Sequence, residues 1–84
     1  MSEYLPPVLG ALARHGLQPR PETTSARLRA QINDLYRFEL RKLRDALLAG
    51  RVRKADYAGF VIALRKRYWL LSVPIGEWTA GTED

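Results

Sequence analysis

The chain has 84 residues, no cysteine and a formal net charge of +5, and 46% of its residues are hydrophobic. This is the composition of a small globular domain, and the lack of cysteine excludes disulfides, thiolate zinc sites and thiol catalysis. The longest apolar run covers eight residues, 57–64, whereas a bilayer-spanning helix needs about 20. Because no signal-peptide pattern opens the sequence, we expect a single cytoplasmic domain over residues 1–84 with no membrane segment.

The positive charge is concentrated in the middle of the chain. Residues 27–67 carry a net charge of +8, whereas the two flanks together carry −3. A basic segment of this kind favours acidic partners, either proteins or nucleic acids.

A short first helix is predicted over residues 6–15. Pro6 and Pro7 suit a first helical turn, where their missing N–H groups leave no bond unmade. Gly16 can adopt the left-handed conformation that ends a helix. Residues 16–25 contain two prolines, so we expect a stiff, non-helical connector.

The second helix is predicted over residues 26–49, with Thr24 or Ser25 as its N-cap and Gly50 just after its end. Neither proline nor glycine interrupts it, and at about 1.5 Å per residue it is roughly 36 Å long. Apolar side chains at helical spacing occupy one face and charged side chains the other, so the helix is strongly amphipathic.

The third helix is predicted over residues 54–71, ended by Pro74. One face carries large apolar side chains at helical spacing. The second face carries small and apolar residues: Ala55, Gly59, Ile62, Ala63, Trp69 and Leu70. Residues 73–84 are expected to form an apolar hook, which includes Trp78, and a frayed tail.

The predicted fold is all-α: a short N-terminal helix, a Pro-rich connector and a long antiparallel helical hairpin. A helix that is apolar on two sides must be covered on two sides, and one chain has too little structure to bury Ile62, Trp69, Leu70 and Trp78. We therefore expect a homodimer in which two hairpins form a four-helix bundle through the second face. The alternative is that the first helix and the hook cover that face within one chain.

Glu39 departs from the amphipathic pattern, because it falls on the apolar face of the second helix. An unpaired buried carboxylate is costly, so we predict a buried Glu39 that pairs with an arginine or with the hydroxyl of Tyr57 or Tyr68. A metal site in a helical bundle would use several glutamates and a Glu-x-x-His pair, but Lys42 occupies the histidine position. No metal site and no cofactor are predicted.

Nothing in the sequence assembles a catalytic site. His15, the sole histidine, ends the first helix, where a cation would interact favourably with the helix dipole. No serine or threonine stands in a nucleophile motif with it, and no phosphate-binding glycine loop or metalloprotease signature is present. We therefore predict no catalytic residue and a protein that is not an enzyme.

Six basic residues are predicted to form a partner-binding face: Arg37, Arg41, Arg44, Arg51, Arg53 and Lys54. Aspartates are interspersed, and the spacing of Arg41 and Asp45 predicts a helical ion pair. The function that these features favour is a non-enzymatic interaction or accessory protein, homodimeric, whose basic face binds an acidic protein. The alternative is a small nucleic-acid-binding regulator that contacts phosphates through the five arginines of this set.

Overall fold

A computed structural model describes residues 3–80, and most of them are helical, which confirms the all-α class. The three α-helices are α1 (Pro6–Arg14), α2 (Ser25–Leu48) and α3 (Lys54–Arg67). Short 3₁₀-helices follow at Trp69–Ser72 and Ile75–Glu77. Two-residue strands, β1 (Glu3–Tyr4) and β2 (Thr79–Ala80), pair antiparallel. The end of the predicted tail, residues 81–84, lies outside the described residues.

The helix ends follow local sequence signals. The Thr24 hydroxyl accepts a hydrogen bond from the backbone N–H of Arg27 at 3.1 Å, so Thr24 is the N-cap of α2. Gly16 and Gly50 have φ angles of 77° and 80°, in the left-handed region that favours glycine. Both glycines therefore end helices as their positions predict.

The third helix ends at Arg67 rather than at Leu71. Tyr68 leaves the helical conformation, with φ −102° and ψ 35°, and the chain continues as a 3₁₀-helix. The guanidinium of Arg29 on α2 donates to the carbonyl oxygens of Leu71 at 2.9 Å and Val73 at 3.3 Å. These bonds give the Leu71 and Val73 carbonyls a partner beyond the end of α3, and they hold the turned chain against α2.

The hydrophobic core lies at one end of the molecule, which we call the head (residues 3–32 and 64–80). It is built from the buried residues Val8, Ala11, Leu12, Leu28, Ile32, Leu64, Tyr68, Leu70 and Trp78. The Trp78 indole N–H donates to the Val73 carbonyl at 3.0 Å, and the Trp78 carbonyl accepts from the N–H of Leu5 at 3.0 Å. The prediction that Leu70 and Trp78 exceed what one chain can cover is wrong, because α1 and the segment after α3 enclose both.

The rest of the hairpin, residues 33–63, contains no buried residue and is called the arm. It consists of the C-terminal part of α2 and most of α3, without a third layer. The radius of gyration is 15.4 Å, whereas a compact domain of this length would have about 12 Å. The molecule measures 50 × 19 × 17 Å, so the arm projects from the head. Among the described residues, no helix is both long and apolar enough to cross a membrane.

Candidate interaction surfaces of the arm

The arm has two chemically different flanks. Leu40, Leu43 and Leu47 form the half-buried seam of α2, and α3 packs against α2. At about 100° per residue, Arg37 and Arg44 lie on one flank of this seam, whereas Glu39 and Lys42 lie on the other. Each flank contains a groove between the two helices.

The first groove, called the basic groove, is lined by Arg37, Leu40, Arg41, Arg44 and Tyr57 and has a volume of about 280 Å³. The three arginines come from α2 at helical spacing and are exposed, while Leu40 and the Tyr57 ring from α3 are half-buried. The groove therefore has a partly apolar floor and a cationic wall. Three members of the predicted basic face are brought together in it.

The three guanidinium groups of the basic groove carry no ion pair with a carboxylate of residues 3–80. Within that range the salt bridges, defined by a nitrogen–oxygen distance of at most 4.0 Å, are Arg53–Asp56 and Arg67–Glu39. The predicted pairing of Arg41 with Asp45 is therefore wrong. Because a like-charged wall without carboxylates attracts anions, this groove is available to an acidic ligand.

The other members of the predicted basic face lie at the tip of the arm and do not line the groove. Arg51, Arg53 and Lys54 are exposed in and after the turn that joins α2 to α3. Arg53 pairs with Asp56 at 3.0 Å, and both side chains are exposed. Such a surface pair contributes little to stability, so these residues add positive potential more than structure.

The second groove, called the apolar groove, lies on the opposite flank and has a volume of about 310 Å³. Leu43, Phe60, Ala63 and Leu64 form its apolar part, with Lys42 and the Glu39–Arg67 pair at its margin. Phe60 is 50% exposed beside this groove, and Ile62, on the outer face of α3 away from the groove, is 54% exposed. Apolar side chains of this size left open to water commonly mark an interface.

Four of the six residues predicted for the dimer interface are exposed on α3: Ala55, Gly59, Ile62 and Ala63. The other two are not part of this surface. Leu70 is fully buried in the head, and Trp69 is half-buried against the core. The reason is the change from α-helix to 3₁₀-helix after Arg67, which redirects both side chains away from the line of the α3 face.

Glu39 lies where the arm joins the head, and its carboxylate links α2 to the end of α3. One oxygen accepts from Arg67 Nη1 at 2.8 Å, and the other accepts a hydrogen bond from the Tyr68 hydroxyl. The Glu39 side chain is 32% exposed rather than buried, because the Arg67 side of the carboxylate faces solvent. The pKa of Tyr68 is raised to about 12, chiefly by burial of the phenol and secondly by its hydrogen bond to Glu39.

His15, directly after the end of α1, adds an aromatic ring to this cluster. Its ring stacks on Tyr68 with a centroid distance of 4.3 Å and an interplanar angle of 15°. Burial lowers the pKa of His15 below its usual value, partly opposed by a hydrogen bond with the Arg67 backbone and by the nearby Glu39. His15 is the C-cap of α1, at the predicted end of the first helix, and the lowered pKa weakens the expected interaction of a cationic His15 with the helix dipole.

Two features of these surfaces have only faint signals in the sequence. The fork of Arg29 onto two carbonyl groups depends on where α3 ends, and the stacking of His15 on Tyr68 depends on how α1 packs. The sequence signal for the Arg29 hydrogen bonds was the position of this charged residue on the apolar side of α2. The described residues contain no cluster of three His, Asp or Glu side chains that could hold a metal ion.

Comparisons with protein-family models, with curated proteins and with solved structures give no match to this chain. Its function must therefore be inferred from the surfaces described above.

Proposed function

We propose that this protein is a non-enzymatic interaction module that forms a homodimer through one side of its arm and binds an acidic partner with the other. One observation carries the proposal: residues 33–63, which comprise the C-terminal part of α2 and most of α3, contain no buried residue. The head already encloses its own core, so nothing within residues 3–80 covers the arm. A two-helix layer with exposed Phe38, Phe60 and Ile62 gains stability when another surface packs on it.

The occupant proposed for the outer face of α3 is a second copy of the chain. In an antiparallel two-fold pairing centred near Val61, Gly59 and Ala63 would lie at the closest approach of the two helices. Phe60 would meet Phe60 of the partner subunit along one edge, and Asp56 would lie opposite Arg67 of the partner subunit. Asp56 and Arg67 already pair with Arg53 and Glu39 in their own chain, so the exposed Phe60 is what supports the α3 pairing, and a bundle of four helices results.

The acidic partner is assigned to the basic groove, on the other flank of the arm. Arg37, Arg41 and Arg44 have no carboxylate partner among the described residues, so an incoming carboxylate does not need to displace one. A second copy is disfavoured there, because a two-fold pairing through this groove would bring its three exposed arginines against the same three of the other chain. The two proposed partners therefore occupy different flanks and can bind at the same time.

The dimer is tested by measuring mass in solution. Sedimentation equilibrium should give twice the 9.6 kDa of one chain. Gly59→Gln should convert the protein to a monomer, since a long side chain blocks close approach of the two α3 helices. In the monomer the substitution is harmless, because a Cβ atom at Gly59 meets nothing within 4 Å and glycine is a poor helix former.

Gly10→Gln is the matched control, since Gly10 is also a helical glycine with open space around its Cβ position. It should leave the mass at twice 9.6 kDa. A well-folded wild type that stays monomeric at the highest soluble concentration would contradict the dimer proposal.

The second candidate function is binding of nucleic acid, and the same unpaired arginines favour it. Phosphates would contact Arg37, Arg41 and Arg44 in the groove and Arg51 and Arg53 at the tip of the arm. Affinity for random DNA or RNA would then fall steeply as salt rises, with a log–log slope of about −0.7 to −0.9 for each phosphate contact. An absence of binding at low salt would remove this candidate.

A further inference from the structure

We infer that the ligand of the basic groove is an amphipathic α-helix of a partner protein, with an apolar stripe flanked by carboxylates. The inference rests on the proposed function and specifies the acidic partner. It requires the groove to recognise shape as well as charge. Three features carry it: the apolar floor of the groove, the cations on its α2 wall and on the neighbouring flank of α3, and an arginine spacing that matches a helix.

The floor of the groove is apolar. The floor consists of Leu40 from α2 and the Tyr57 ring from α3, beside the arginine wall. Both residues are half-buried. Apolar floor residues of this kind bury methyl groups of a ligand, whereas a phosphate or a free carboxylate gains nothing from them. A ligand that uses the whole groove therefore has an apolar side.

Beyond the lining of the groove, the flank of α3 that carries Tyr57 is also basic. Lys54, Ala58, Val61 and Arg65 recur along α3 at helical spacing, on the same flank as Tyr57. Lys54 and Arg65 are exposed, and neither forms a salt bridge within residues 3–80. Cations thus lie on α2 along the groove and on the neighbouring flank of α3, which complements a helix whose apolar stripe has acidic residues on both sides.

The spacing of the arginine wall matches a helix. Arg37, Arg41 and Arg44 follow one another at i, i+4 and i+7, and the outer two are about 10.5 Å apart along the axis of α2. Carboxylates at the same spacing on a ligand helix that runs along α2 meet each guanidinium in turn. The resulting complex has three helices in the arm and supplies its missing layer.

Nucleic acid fits the groove less well than such a helix. Single strands are bound by successive aromatic side chains on which bases stack, and Tyr57 is the one aromatic residue that lines this groove. Its ring is half-buried and flanked by aliphatic Leu40. We therefore treat nucleic-acid binding as a competing outcome of the experiment.

The experiment measures the affinity of full-length protein for fluorescent ligands by anisotropy. The test ligand is a peptide of about 18 residues with leucines at i, i+3, i+4 and i+7 and glutamates on both sides of that stripe. A shuffled peptide of the same composition, a single-stranded RNA and a duplex DNA serve as competitors. The amphipathic peptide should bind at least about tenfold more tightly than the shuffled one, because only it can bury a stripe on the floor.

Two triple variants locate the site. The groove variant combines Arg37→Gln, Arg41→Gln and Arg44→Gln. It should weaken peptide binding by about tenfold or more. The control variant combines Arg14→Gln, Arg20→Gln and Arg27→Gln, which are exposed positions outside the arm. It changes the net charge by the same amount and should alter peptide affinity by less than about twofold. Tyr57→Ser should weaken binding of the amphipathic peptide while leaving that of the shuffled peptide unchanged.

Several results would overturn the inference. Equal affinity for both peptides would reduce the groove to a charged surface, and tighter binding of RNA or DNA would replace the helix by nucleic acid. Unchanged affinity in the groove variant would place the site elsewhere. A failure of the dimer proposal can be distinguished from a failure of this inference, because the monomeric Gly59→Gln variant should bind the peptide as well as the wild type does.

Discussion

The carboxylate of Glu39 connects the two helices of the hairpin at the point where the core ends. Its two partners differ in environment: Tyr68 is buried, whereas the Arg67 side chain is 62% exposed. Solvent screens the pair with Arg67, so most of the stabilisation should come from the Tyr68 hydrogen bond.

A double-mutant cycle tests this division. Glu39→Gln and Tyr68→Phe should each lower the free energy of unfolding by about 1 kcal/mol, with a coupling of about 1 kcal/mol between them. Arg67→Gln is the control and should cost less than about 0.5 kcal/mol. Urea denaturation gives all four values. A cycle with no coupling would mean that the hydrogen bond contributes nothing net.

His15 should make stability depend on pH in mildly acidic solution. Its pKa is lowered in the folded protein by burial, so the unfolded chain binds the proton more readily. The free energy of unfolding should therefore fall as pH drops through about 6.5, and this contribution should be complete above that pH.

The measurement is urea denaturation of wild type and His15→Gln from about pH 7.5 to pH 5. The wild type should lose more stability than the variant over this range. Carboxylates that titrate at the acidic end affect both proteins, so the difference isolates His15. Parallel pH profiles would show that the imidazole titrates alike in the folded and unfolded chain.

At the scale of elements, the molecule divides into a head with a core and an arm without one. The division should appear when the same substitution is made in each part. Leu70→Ala removes a fully buried side chain and should cost about 2–5 kcal/mol. Leu48→Ala removes one that is 77% exposed and should change stability by less than about 0.5 kcal/mol.

Urea denaturation at low protein concentration measures both values on the monomer. Similar losses for the two variants would mean that the arm is packed as tightly as the head, contrary to the exposures given above.

The helices could be predicted from sequence because each depends on local signals. The periodic apolar residues predicted three helices. Thr24 is the N-cap of α2, and Gly16 and Gly50 have the left-handed conformations expected at helix ends. The pairing possibilities for Glu39 also followed from its position on the apolar face of α2. These inferences needed only the geometry of a single helix.

The predictions that failed depended on contacts between distant segments. The end of α3 at Arg67 involves Arg29, which is bonded to carbonyls more than forty residues away. The burial of Leu70 follows from that turn, and the burial of Trp78 requires α1 and β1 to be in place. Helical periodicity carries no information about such contacts. It therefore could not predict that Leu70 and Trp78 are buried whereas Phe60 and Ile62 stay exposed.

For the whole molecule, the proposed dimerisation of the arm should make thermal stability depend on concentration. A partner that binds only the folded state stabilises it by mass action, so the melting temperature of wild type should rise across a hundredfold increase in concentration. The melting temperature of Gly59→Gln should not rise. Calorimetry over that range checks this, and a concentration-independent wild type would argue against self-association.

The antiparallel pairing of Glu3–Tyr4 with Thr79–Ala80 has a consequence for the order of folding. The core needs Val8, Ala11 and Leu12 from the beginning of the chain and Leu70 and Trp78 from near its other end. During synthesis, a nascent chain that stops before residue 64 lacks four of the nine core residues: Leu64, Tyr68, Leu70 and Trp78. It can form helical turns, but it has no core against which to keep them. Folding of the head is therefore expected to follow synthesis of nearly the whole chain, and these distant contacts should limit its rate.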